Sequence, residues 1–110
     1  MEKLSQLDLP AMRSAAARAC GMLKVLGNPD RLLLLCQLSQ GEFCVSELEA
    51  KLGIGQPTLS QQLGVLRDEE LVSTRREGKQ VYYSIASKEA LALMGVLYEQ
   101  YCTPAPGAPA

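Results

Sequence analysis

The sequence contains no histidine. This removes the commonest metal ligand and the commonest general base together, so a hydrolase built on a triad lacks its proton carrier. Long apolar runs are missing too. The longest aliphatic stretch, residues 32–35, is far too short to span a bilayer, and the opening MEKLSQLDLP has no apolar signal-peptide core. A cytoplasmic, reducing setting without a membrane partner is therefore expected, where the four cysteines read as thiols and not as a disulfide framework. Neither sign of charge prevails: 11 Lys and Arg stand against 12 Asp and Glu, a net charge of −1. Any affinity for nucleic acid must come from local placement of charge. No internal repeat is present.

What is there suffices for one small core. Close to half of the 110 residues are apolar (47%), which suits a single domain that oligomerisation would stabilise further. Residues 1–9 read as a flexible leader, 10–102 as the domain and 103–110, TPAPGAPA, as a disordered tail. Over 10–27, Met12, Ala15, Ala16, Ala19, Met22, Leu23 and Leu26 recur at helical spacing, and the many alanines allow another helix to approach closely. Asn28-Pro29-Asp30 opens a second helix that runs through RLLLLCQLSQ and stops at Gly41. Ser46 and Glu49 have capping-box spacing and open a short helix to Leu52. After the turn Gly53-Ile54-Gly55, Pro57 enters the first turn of a helix with an apolar line of Leu59, Leu63 and Leu66. Residues 71–76 and 80–85 are rich in β-branched and aromatic side chains and read as a hairpin around Glu77-Gly78-Lys79. Ser87 caps a last helix through Leu91, Met94, Leu97, Tyr98 and Tyr101. The fold class is mainly α with a β-hairpin wing: a winged helix-turn-helix.

With Leu59, Leu63 and Leu66 facing inward, the fourth helix turns Gln56, Thr58 and Gln61 outward, with Ser60 and Gln62 at the margin. Short or planar hydrogen-bonding side chains suit base edges in a major groove. Phosphate charge is expected from Arg75, Arg76 and Lys79 around the hairpin, against Glu77, with Arg67 as a possible addition. Each of these residues alone would pass for a solvated surface. The turn, the polar face and the basic hairpin together point to DNA. A protein-interaction module is the alternative from another class, because the net charge is acidic; salt-dependent binding to duplex DNA separates the two.

The segments LGNPDRLLLL, VSELEAKLGIGQPTLSQQLGVLRDEELV and TRREGKQVYYSI resemble the ArsR/SmtB family of winged-helix repressors, over roughly residues 12–102. The resemblance implies a homodimer formed by the first and last helices, a recognition helix at 56–69 and a near-palindromic operator with half-sites about 34 Å apart. It also implies a repressor and not an enzyme, with no cofactor. The family's zinc-type site in the last helix needs histidines and cannot be built here. Its arsenic-type site is a Cys-Val-Cys, of which Cys44 supplies the first cysteine while Ser46, a poor ligand for soft metals, stands at the second. Sensing of arsenite, cadmium or lead through Cys44 and another thiol is the runner-up.

Leu-Cys-Gln-Leu around Cys36, followed by GEF, and the closing Leu-Tyr-x-x-Tyr-Cys at Cys102 resemble the BigR/SqrR/HlyU subgroup. In that subgroup a cysteine in each of these helices answers persulfides or oxidants. The resemblance thus implies Cys36 and Cys102 as sensor thiols, bridged by reactive sulfur species or oxidant, with release of DNA. By residue chemistry alone Cys36 and Cys44 also pass for small core residues, Cys102 for an incidental exposed thiol, and Cys20 for packing or interface.

Overall fold

The computed structural model describes residues 8–102. Helix α1 (Leu9–Leu26) begins where Asp8 accepts the Ala11 N–H at 2.8 Å. It therefore starts one residue before the expected Pro10, because the aspartate supplies the cap; the rest of the expected leader and the whole tail lie outside the described residues. Asn28 caps α2 (Pro29–Leu38) by accepting the Arg31 N–H at 3.0 Å. This helix ends short of Gly41, in a turn at Ser39 and Gln40.

A short strand, β1 (Phe43–Cys44), comes next, an element the sequence pattern does not predict. It changes how α3 (Val45–Leu52) begins. Pairing of Phe43 with Tyr83 and Cys44 with Tyr82 holds Cys44 extended, at φ −88° and ψ 171°. The helix consequently starts at Val45, and the capping pair is Cys44 with Glu47 in place of Ser46 with Glu49. The Glu47 carboxylate accepts the Cys44 N–H at 2.9 Å. That bond, followed by the Cys44 side chain, holds the Glu47 pKa below the usual glutamate range.

Gly53 closes α3 in the left-handed region, φ 69°, with its N–H on the Glu49 carbonyl at 2.9 Å. The tight turn then leads to α4 (Thr58–Asp68), with Pro57 just outside the helix. Strands β2 (Val72–Glu77) and β3 (Gln80–Ile85) form the hairpin, and Glu77 belongs to the strand, not to the turn. The loop is Gly78-Lys79, with Gly78 at φ 64°, as tight two-residue hairpin turns require. The antiparallel sheet has the order β1-β3-β2. Ser87 caps α5 (Lys88–Leu97), its Oγ accepting the Ala90 N–H at 3.1 Å. The expected continuation to Tyr101 is instead a π-helical turn, Tyr98–Cys102.

Leu34 and Leu35 of α2, Leu48 of α3, Leu59, Leu63 and Leu66 of α4 and Met94 of α5 fill one core. Each such side chain contributes about 1.5–3 kcal/mol when fully buried. The expected leucine line of α4 thus fixes which of its faces points outward. In α1 only Val25 and Leu26 are buried, while Leu9, Met12 and Leu23 lie exposed.

Candidate nucleic-acid interface and thiol pair

The outer face of α4 is less uniform than its sequence. Gln61 is exposed and makes no side-chain hydrogen bond to a described residue. Gln56 and Ser60 work as a unit: the Gln56 carbonyl accepts the Ser60 hydroxyl at 2.5 Å and its N–H at 3.3 Å. Thr58 is half-buried at the first position of the helix. Gln62 turns inward, its Oε1 accepting from Arg31 Nη1 at 2.9 Å. That removes Gln62 from the polar margin expected of it, because a guanidinium on α2 competes for its carbonyl.

The wing likewise sorts its charges. Arg75 donates through Nε and Nη2 to Glu42, at 3.0 and 2.7 Å, and through Nη1 to Glu77 at 2.6 Å. Its guanidinium also lies over the Tyr82 ring, 4.9 Å from the centroid. Glu42 and then Glu77 raise its pKa above the ordinary arginine value, so the group stays charged, but the charge is already matched. Glu42, which precedes β1 in a loop, carries no signal of this role in the sequence because 33 positions separate it from Arg75. Arg76 and Lys79 are exposed at the wing tip, and Arg67 is exposed in the last turn of α4. None of these three has an ionic partner among the described residues.

All four cysteines are free thiols. Cys36 is half-buried on α2, where its S–H donates to the Met94 thioether of α5 at 3.8 Å. Burial, and second the negative charge of a Cys102 thiolate, push the Cys36 pKa up. Cys102 ends the π-helical turn and is exposed; turns of this kind often occur at functional sites. Cys44 is buried in β1, with its sulfur 3.3 Å from the Ser46 hydroxyl. Ser46 therefore faces that thiol and does not cap a helix. Cys20 is exposed on α1. Among the described residues no group of three or more His, Cys, Asp or Glu is placed to hold a metal ion.

A groove of about 830 Å³ runs between α1 and α5, lined mostly by apolar side chains including Ala15, Ala19, Met22, Leu23, Ala92 and Leu93. Leu91, Val96, Tyr98 and Tyr101 extend the exposed apolar surface along α5 and its π-helical turn. Among the described residues no helix is long and apolar enough to cross a membrane.

Comparison with known proteins adds the lineage of these parts. Residues 28–74 match the model of the bacterial regulatory protein, arsR family. The biofilm growth-associated repressor of Agrobacterium fabrum is 52% identical over 101 residues, covering 92% of this chain and 86% of that protein. Among solved structures, the transcriptional repressor BigR from Xylella fastidiosa superposes with a TM-score of 0.81 at 46% identity, covering 88% of this chain and 99% of that one. Reduced HlyU from Vibrio cholerae gives 0.83 at 39% identity, covering 86% and 100%.

Proposed function

The chain belongs to the ArsR family of bacterial regulatory proteins, a winged helix-turn-helix transcriptional regulator and not an enzyme, and on that premise we propose that it is a cytoplasmic, homodimeric, operator-binding repressor released by bridging of Cys36 and Cys102. The observation that supports the sensing half is the contact of the Cys36 thiol with Met94, which sets this α2 thiol against α5, the helix that leads to Cys102.

The chemistry follows from thiolate nucleophilicity. The Cys36 thiolate takes the terminal sulfane sulfur of an organic persulfide, and the donor leaves as a thiol. The Cys102 thiolate then attacks the Cys36 Sγ and expels the outer sulfur as hydrosulfide, which closes a disulfide. If Cys102 has itself been persulfidated, its terminal sulfur attacks and the bridge keeps an extra sulfur atom. In either case two thiols are oxidised and sulfane sulfur is reduced to sulfide. An electrophilic oxidant would reach the same bridge through a sulfenic acid on one thiol and loss of water.

For DNA, the reading surface is Thr58, Ser60 and Gln61 on α4 with Gln56 in the turn before it, and phosphate contact falls to Arg76 and Lys79. Arg75 supports this from behind by pinning the wing to the segment before β1. The apolar groove and the exposed residues of α1 and α5 form the surface that a second copy would cover, presenting two α4 helices to successive major grooves. Fluorescence anisotropy on an operator selected from random duplexes tests the reading. The reduced protein binds it, and an organic persulfide weakens binding by at least tenfold. Cys36→Ser and Cys102→Ser bind like wild type and no longer respond; a response that survives both substitutions refutes the thiol pair.

A further inference from the structure

Arg31, in the first turn of α2, uses all three of its side-chain nitrogens on two other helices. Nε donates to the Val25 carbonyl at 2.6 Å and Nη2 to the Lys24 carbonyl at 3.4 Å, both in the last turn of α1. Nη1 donates to Gln62 Oε1 on α4 at 2.9 Å. A cation at a helix C-terminus is ordinary capping, and it accounts for the first two bonds. It does not account for the third, which reaches across 31 positions to the helix that carries the polar reading face.

The third bond also has a fixed sense. A guanidinium carries only donors, so the atom of Gln62 that it meets must be the carbonyl oxygen. This orients the whole amide, and Gln62 directly follows Gln61, the exposed residue at the centre of the reading face. The guanidinium is a planar fork of donors, which a lysine ammonium on a flexible stem does not reproduce. The same side chain joins the helix that carries Cys36, the helix with the unpartnered apolar face and the recognition helix.

We propose that Arg31 is a positioning residue that sets the orientation of α4 relative to α1 and α2, and that it transmits to α4 the rearrangement of α2 when Cys36 is bridged. The second half rests on the thiol-pair reading above. The first half does not. Closing a bridge from α2 to the segment after α5 pulls on α2, and the Arg31 fork is the polar connection by which that pull reaches α4.

The test is a double-mutant cycle on operator affinity with the full-length reduced protein, using Arg31→Lys, Gln62→Leu and the double variant. Melting temperature and sedimentation confirm fold and assembly. Each single variant is expected to lose about tenfold in affinity for the operator, the value of one charge-assisted hydrogen bond. The double variant should lose no more than either single, and affinity for random duplex should not change. Additive losses, or equal losses on operator and random DNA, overturn the positioning role.

Relay is then read after treatment with an organic persulfide, with the bridge in each variant verified by mass. The ratio of reduced to bridged affinity should collapse to within about threefold in Arg31→Lys and Gln62→Leu although the bridge forms. If bridged variants release DNA as fully as wild type, Arg31 is not the relay. If wild type forms no bridge, the thiol reading and the relay fall together, while the reduced-state cycle still decides the positioning role.

Discussion

Cys36 illustrates how environment, more than residue type, decides what a thiol can do. Its half-burial and the nearby Cys102 both favour the protonated form, yet the thiolate is the nucleophile. Deprotonation is therefore delayed as pH rises, and the rate of Cys36 alkylation should climb with a midpoint above the usual thiol range. Cys102→Ser removes the second cause, so the midpoint should move down, though not fully, because burial remains. Mass-resolved alkylation across pH 6–11 measures both; an unmoved midpoint would mean that the two sulfurs do not interact. Arg75 makes the same point for charge. In the sequence it stands beside Arg76 as an equal, but Glu42 and Glu77 occupy it. Arg76→Ala and Lys79→Ala should each lower the slope of log affinity against log salt by about 1. Arg75→Ala should leave that slope nearly unchanged and loosen the wing. Neither Glu42 nor Arg31 could be assigned a role from the sequence, because each meets its partner only after the chain folds back.

At the scale of elements, periodicity made most of the fold legible. Leu59, Leu63 and Leu66 were readable as the buried line of α4, and all three are buried. The alternating residues of the hairpin likewise pair in register from Val72 with Ile85 to Glu77 with Gln80. What escaped were features too short to have a period. Strand β1 is two residues long and exists only because β3 offers an edge. By sequence alone, without that strand, a serine at position 46 makes a better cap than a cysteine at 44, which puts the capping box two residues late. The π-helical turn after α5 has the same composition as an α-helical end, so composition could not reveal it. The turn between α3 and α4 was legible because it depends on one glycine. At Gly53 a Cβ would meet nothing within 4 Å, so the constraint is the positive φ alone. Gly53→Ala should cost about 1 kcal/mol in a denaturant melt, and Gly53→Asn distinctly less. A cost near zero for alanine would mean that the turn is not held in the left-handed region.

At the scale of the whole molecule, the protomer is thin and open. Its radius of gyration is 16.4 Å and its extents are 49 × 41 × 22 Å, against about 13 Å for a compact domain of 100 residues. Helix α1 carries an exposed apolar face: Leu9, Met12 and Leu23 are exposed, and only Val25 and Leu26 of its 18 residues are buried. A dimer built on α1 and α5 would bury that face and fix the separation of two α4 helices. It would also place Cys36 of α2 and Cys102 after α5, the proposed thiol pair, beside the surface that sets the separation. The proposed sulfur bridge would then act on DNA at a distance without touching the reading residues. The account stands on that bridge. Peptide mapping by mass spectrometry after treating the reduced protein with an organic persulfide tests it most directly. The predicted result is a cross-linked pair of peptides containing Cys36 and Cys102, as a disulfide or with additional sulfur. Modification confined to Cys20 or Cys44, with Cys36 and Cys102 recovered as free thiols, would contradict it.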